Sequence, residues 1–205
     1  ETETIRNEDI EKALEMIQEA RRPFIFVGGG SVISGASEAV NTFAHKVHAP
    51  VCDSLMGKGA FNGTDPLYTG MLGMHGTKSS NFGVAHCDLL ITLGARFSDR
   101  VTGDTSRFAK KAKIRQIDID PAEINKNVLV SGSVIGDVKS VLDILNEKLP
   151  DMKHEAWVEE VEALKNQYPL KFDDDRLTGP YVVEELYRVT KGDAIVTTEV
   201  GQNQM

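Results

Sequence analysis

Apolar positions along the first 150 residues recur in two alternating periods. In "NEDIEKALEMIQEA", Ile10, Ala13, Leu14 and Ile17 fall three or four residues apart, as on one face of a helix, and Asn7 is placed to act as its N-cap. "PFIFVGGGS" is a short continuous apolar run that leads straight into three glycines, the pattern of a buried strand ending in a tight turn. Ala36, Ala39, Val40, Phe43, Ala44 and Val47 restore the helical period, and "PVCDS" reads as a second strand. A long glycine-bearing segment from Leu55 to Thr77 shows neither period. "DLLITLG" is again continuously apolar, "KIRQIDID" is a further strand leading into "PAEINKN", and "SVIGDVKSVLDILNEKL" reads as strand, turn and helix, with Val138, Val141, Leu142, Leu145 and Leu149 on one helical face. Strands alternating with helices predict an α/β fold: a doubly wound parallel sheet in three α/β/α layers, with right-handed crossovers.

Beyond Pro150 the pattern loosens. "EAWVEEVEALKNQY" predicts a helix carrying Trp157, Val161 and Leu164. "PLKFDDDRLTGP" reads as a polar connector whose three aspartates form a solvated charge run rather than a metal site. "PYVVEELYRVT" and "AIVTTEV" open a new helix–strand unit that is not completed. The expected organisation is a domain over 1–150, a linker over 151–180 and the start of a second domain over 181–205. With no initiating methionine and that unfinished unit, the chain reads as a piece of a longer protein.

Composition narrows the function classes. Of 205 residues, 40% are hydrophobic, enough for a real core, and the net charge of −8 argues against a nucleic-acid partner. No stretch approaches the roughly 20 apolar residues of a membrane span, and the first residues carry no signal-peptide pattern. Cys52 and Cys87 are expected to be a reduced, buried pair in a soluble, cytoplasmic protein.

In parallel sheets ligands bind at the carboxyl ends of the strands. Gly28–Gly30, Gly94–Gly103 and Gly136–Val138 each follow a predicted strand, and together they point to a nucleotide-like ligand. Gly28 and Gly30 match two glycines of the G-x-G-x-x-G fingerprint, but Ile33 holds the third place; Asp53, ending the next strand, stands near where a ribose-binding acid would lie. "GARFSDRVTG" brings Arg96 and Arg100, with Asp99 between them, to the same edge, either as a pyrophosphate or flavin clamp or as a surface ion-pair cluster. Asp118 and Asp120 end "IDID", where a carboxylate can accept from ribose hydroxyls or cap the following turn. "GMLGMHGTKSS" is either a mobile loop or a glycine-lined approach to a flat ligand.

"GMLGMHGT", "GARFSDRVTG", "IDIDPAEINKN", "GDV" and "TTEVGQNQM", in that order, resemble the FAD-containing acetohydroxyacid synthase (acetolactate synthase) catalytic subunit of the thiamine-diphosphate enzymes. The resemblance covers nearly the whole chain. It implies a Rossmann-like central FAD-binding domain over 1–150, the linker, and the start of the thiamine-diphosphate-binding domain. By the same resemblance, Gly28, Gly29 and Gly30 would lie near the dinucleotide, and Ser54, Leu55 and Met56 would line its site. Leu72, Gly73, Met74 and His75 would contact FAD, while Gly94, Ala95, Arg96, Arg100 and Val101 would hold it. Asp118, Ile119 and Glu123, with Gly136, Asp137 and Val138, would sit near its adenosine part, and Val200, Gly201 and Gln202 would approach thiamine diphosphate. Ser98 and Asn203 depart from an acidic residue and a histidine common in the family.

The resemblance further implies a full-length enzyme that decarboxylates pyruvate on thiamine diphosphate with Mg²⁺ and joins the product to a second 2-keto acid, in branched-chain amino-acid synthesis. A homodimer or tetramer with a small regulatory subunit is expected, and FAD would be structural. No catalytic residue and no metal ligand is expected within 1–205. Two other readings stay open at this point: an NAD-dependent enzyme of related fold, supported by Asp53, and a non-catalytic binding or oligomerisation module.

Overall fold

The computed structural model describes residues 5–172 and 175–201. They form two compact units that divide between Tyr168 and Pro169. The first begins with helix α1 (Asn7–Glu19), strand β1 (Pro23–Val27), a short helix α2 (Gly29–Ile33), helix α3 (Ser37–Val47) and strand β2 (Val51–Asp53). A 3-10 turn (Leu55–Gly57) leads to β3 (Tyr68–Met71), α4 (Lys78–His86), β4 (Leu89–Leu93) and the single-turn α5 (Asp99–Thr102). Then come β5 (Lys113–Asp118), a 3-10 turn (Pro121–Glu123), β6 (Gly132–Ile135), α6 (Val138–Lys148) and α7 (Glu155–Gln167). All six strands are parallel, in the order β3-β2-β1-β4-β5-β6.

The two-residue period of the strands splits the core into two layers. On β1, Ile25 and Val27 face a cluster with Leu89, Ile91 and Leu93, covered by the apolar stripes of α1, α3 and α6. Phe24, Phe26, Cys52 and Leu90 point the other way, under α4 and α7 through Val84, Trp157 and Val161. The central strands are therefore buried on both faces, which is why "PFIFV" and "LLITL" carry no polar alternation. The doubly wound parallel α/β fold is the one the sequence predicts. Cys52 and Cys87 are both buried and not joined in a disulfide, and burial pushes both thiols up, Cys87 to about 12.

Several local expectations change. Asn7 is the first helical residue rather than the cap; Arg6 holds the cap position and no side chain caps α1. The glycines after β1 open α2 with Gly28 as its cap. The segment Leu55–Thr77 contains β3, and α4 follows it directly. Helix α7, placed in the 151–180 linker by sequence, belongs to the first unit. Trp157 donates from Nε1 to the Pro23 carbonyl at 2.9 Å and meets Phe24 edge-on, while Arg22 lies 4.7 Å over its ring.

In the second unit, helix α8 (Gly179–Thr190) forms with Thr178 as its cap, and it buries no residue. "AIVTTEV" is not a strand: residues 194–200 have no regular pairing, and Ile195 is fully exposed. A strand needs a neighbour to complete its hydrogen bonds, and none among the described residues supplies one. Asp173, Asp174, Gln202 and Asn203 lie outside the described residues. Among the described residues no helix is long and apolar enough to cross a membrane.

Candidate functional site

Because every strand is parallel, the six carboxyl ends share one edge, and the strand order reverses between β1 and β4. At such a reversal the outgoing connections diverge to opposite faces and leave a crevice. The turns at its floor interlock through backbone. Gly28 N–H donates to the Leu93 carbonyl at 2.8 Å and Gly30 N–H to the Gly94 carbonyl at 3.1 Å. A Cβ on Gly28 would lie 2.2 Å from the Gly94 oxygen, and Gly94 itself has φ +59°. Gly28 and Gly30 thus let two chain turns touch, and Gly29 packs against Met56. Sequence reasoning placed all three glycines against a ligand; the structure shows them first packed against protein.

The "GMLGMHGT" loop and the arginine motif meet at this edge. Leu72 is buried and its N–H donates to the Asp53 carbonyl at 2.8 Å. Gly73 has φ +101°, and a Cβ there would sit 2.4 Å from the Arg100 carbonyl oxygen. Met74 N–H donates to that same carbonyl at 2.9 Å. Asn81, which sequence reasoning missed, brackets Gly73: Gly73 N–H donates to its Oδ1 at 3.2 Å, and its Nδ2 donates to the Gly73 carbonyl at 3.0 Å. The loop is pinned at Leu72 and Gly73, while Met74 (65% exposed) and His75 face outward.

Leu55, Met56 (73% exposed) and Ile119 (65%) are exposed apolar residues just after β2 and β5, Arg96 and Arg100 are exposed in the segment after β4, and in that segment Ala95 is buried and Val101 half-buried. Ser54 is committed to its turn, where Oγ accepts from Gly57 N–H at 3.1 Å. Exposed apolar side chains and two exposed arginines at the strand ends suit a planar ligand that carries negative charge.

Asp118 is buried at the end of β5. It accepts from Asp120 N–H at 3.0 Å, and its own carbonyl accepts from Gly136 N–H at 2.9 Å. Burial raises its carboxyl above the ordinary range. Asp120 takes the capping role, accepting from Ala122 N–H at 2.9 Å, and Glu123 pairs with Lys126. Asp137 caps α6 by accepting from Ser140 N–H at 3.0 Å, and Val138, the first residue of that helix, is buried, so both are engaged in structure. Val200 and Gly201 lie in the second unit, outside any regular element.

Asp53 is not free to bind ribose. It is 2% exposed, accepts from Tyr68 Oη at 2.9 Å and faces Lys58 Nζ at 3.4 Å. Ile33, in place of the third fingerprint glycine, is 89% exposed on the five-residue α2, where no long helix starts. Tyr68 and Lys58 lie in the aperiodic segment, so only the fold brings them to Asp53.

Residues 10–145 match the family "Thiamine pyrophosphate enzyme, central domain". The chain is 47% identical over 96% of its length to a probable acetolactate synthase large subunit of Methanocaldococcus jannaschii, covering 35% of that protein. It is 44% identical to the acetolactate synthase large subunit of Cyanidium caldarium, again over 96% of the chain and 35% of the relative. For the chloroplastic acetolactate synthase 1 of Zea mays the identity is 42%, over 96% of the chain and 32% of the relative. The chain spans about a third of the length of the curated relatives it matches.

Proposed function

The chain belongs to the thiamine pyrophosphate enzyme family, as its central domain, and from that premise we propose that it is the FAD-holding middle segment of an acetolactate synthase large subunit. The observation that carries the flavin reading is the joining of the two motifs at the carboxyl edge of the sheet, where Met74 N–H meets the Arg100 carbonyl at 2.9 Å. That bond sets an apolar, glycine-backed loop beside a two-arginine segment. The side chains fit FAD by their chemistry. Met74, Met56 and Leu55 offer adaptable apolar contact to a ring system, Arg96 and Arg100 offer paired donors to its pyrophosphate or polar edge, and Asp118 is an acceptor for ribose hydroxyls. The NAD-dependent alternative loses its main support because Tyr68 and Lys58 occupy Asp53.

In the complete polypeptide, thiamine diphosphate with Mg²⁺ would supply the electron sink for decarboxylating pyruvate. The product would join a second 2-keto acid, pyruvate or 2-ketobutyrate, in branched-chain amino-acid synthesis. This chain's part is to fix FAD in a structural role; Val200, Gly201 and Gln202 would approach the thiamine cofactor. A cytoplasmic homodimer or tetramer with a small regulatory subunit belongs to the same proposal.

The test is to purify the chain in the presence of FAD and supply pyruvate, thiamine diphosphate and Mg²⁺. A flavin absorbance band should co-elute with the protein, and no acetolactate should form. Elution without flavin under saturating FAD, or turnover that persists after host enzyme is removed, would overturn the proposal.

A further inference from the structure

Arg96 stands on a turn that the backbone alone leaves twisted. Gly94 and Phe97, on either side of Ala95–Arg96, both have left-handed φ, +59° and +51°. A non-glycine residue holds that conformation only where its surroundings impose it. Two side-chain amides grip the carbonyls between those positions. Gln116 Nε2 donates to the Ala95 oxygen at 3.3 Å, and Asn127 Nδ2 donates to the Arg96 oxygen at 3.2 Å.

Gln116 is out of place by any packing argument. It is fully buried in β5 on the face that carries Phe24, Phe26, Leu90 and Ile114. Its Oε1 has no partner among the described residues, and neither does Oγ1 of Thr92, its register neighbour on β4. A buried orphaned oxygen costs stability that an aliphatic side chain would not. What Gln116 does contribute is its one bond, to the turn carrying Arg96.

We infer that Gln116 and Asn127 form an amide clamp that aims Arg96 at the flavin edge. Both are positioning residues and neither touches the ligand. The clamp holds the backbone at two consecutive carbonyls, Gly94 N–H is tied to the Ile117 carbonyl at 2.9 Å, and the guanidinium is left exposed and free to bind. This inference rests on the flavin reading above.

Equilibrium titration with FAD, followed by flavin fluorescence, tests it in Gln116→Leu, Asn127→Ala, Arg96→Ala and the two doubles with Arg96→Ala. Each clamp variant should bind FAD about three- to tenfold more weakly, the worth of one neutral hydrogen bond. In the Arg96→Ala background the same substitutions should change affinity less than about twofold, because their effect passes through Arg96. Parent-like binding by both clamp variants, or a full effect that persists without Arg96, would overturn the clamp. Asn127 is exposed, so its variant carries the test if Gln116→Leu misfolds, which circular dichroism reports. A parent chain that does not bind FAD would remove the flavin reading and the clamp with it. Hydrogen exchange at the Gly94 amide, which donates to the Ile117 carbonyl at the start of this turn, measured without flavin, tests the clamp separately and should accelerate in both variants; unchanged exchange would contradict it.

Discussion

Asp118 holds a carboxylate where the fold would favour a neutral group. Burial raises its pKa, the nearby Glu123 and Asp120 add to the rise, and the hydrogen bond from Asp120 N–H opposes it. The folded chain therefore binds this proton more tightly than the unfolded chain does. The resulting stability is complete below the unfolded value of 3.8 and is lost as pH rises through the higher folded value, so the ionised side chain costs stability at neutral pH. Asp118→Asn keeps an oxygen to accept from Asp120 N–H and removes the charge. It should raise the urea midpoint at pH 7, with a gain that shrinks toward about pH 4, where the parent carboxyl also becomes neutral. An equal gain at both pH values, or a loss at pH 7, would contradict that origin. The same comparison shows how far single residues were legible. Asp53 and Asp118 both end strands and look alike in sequence. Only folding puts Tyr68 and Lys58 on Asp53, whereas the Asp118 carboxyl accepts from the Asp120 backbone N–H.

Where an element buries an apolar stripe, its place could be read from the sequence; where it buries small or hydroxylated residues, it could not. Helices α1, α3 and α6 show the helical period because their buried faces are Ile, Val, Leu, Phe and Ala. Helix α4 buries Ser79, Ser80, Gly83 and Val84 instead. Its hydroxyls satisfy one another and β3, as in Ser80 Oγ to Thr69 Oγ1 at 2.7 Å, and a Cβ on Gly83 would lie 2.3 Å from the Phe24 ring. Such a face leaves no apolar stripe in the sequence to set it apart from the exposed side. Strand β3, at the sheet edge, is four residues with a glycine at its third. Helix α7 was recognised as a helix but not as part of the domain, because the Pro23 carbonyl that receives Trp157 Nε1 is far away in sequence. Trp157→Ala should lower unfolding free energy by about 3–5 kcal/mol, measured by urea denaturation with circular dichroism, since Trp157 is the only tryptophan. A cost under about 1 kcal/mol would mean that α7 does not pack on the first unit.

For the molecule as a whole, the parallel α/β sheet and the edge shared by the glycine motifs followed from alternating periods, the strand order did not, and the family motifs pointed to a ligand at that edge. The interlocking glycines and the amide grip on residues 95 and 96 were not legible, because both join backbone groups of segments distant in sequence. On the proposed function, this edge would hold FAD through Arg96. Charge-assisted hydrogen bonds are each worth roughly 1.5–3 kcal/mol, so losing them should weaken binding about 10- to 150-fold. Arg107, 84% exposed at its side chain and paired with Asp104, lies outside the arginine motif and serves as the control. The most direct measurement is the FAD dissociation constant of the parent, Arg96→Ala and Arg107→Ala chains, each checked for an unchanged circular dichroism spectrum. The account predicts at least about tenfold weaker binding for Arg96→Ala and near-parent binding for Arg107→Ala; parent-like affinity in both would contradict it.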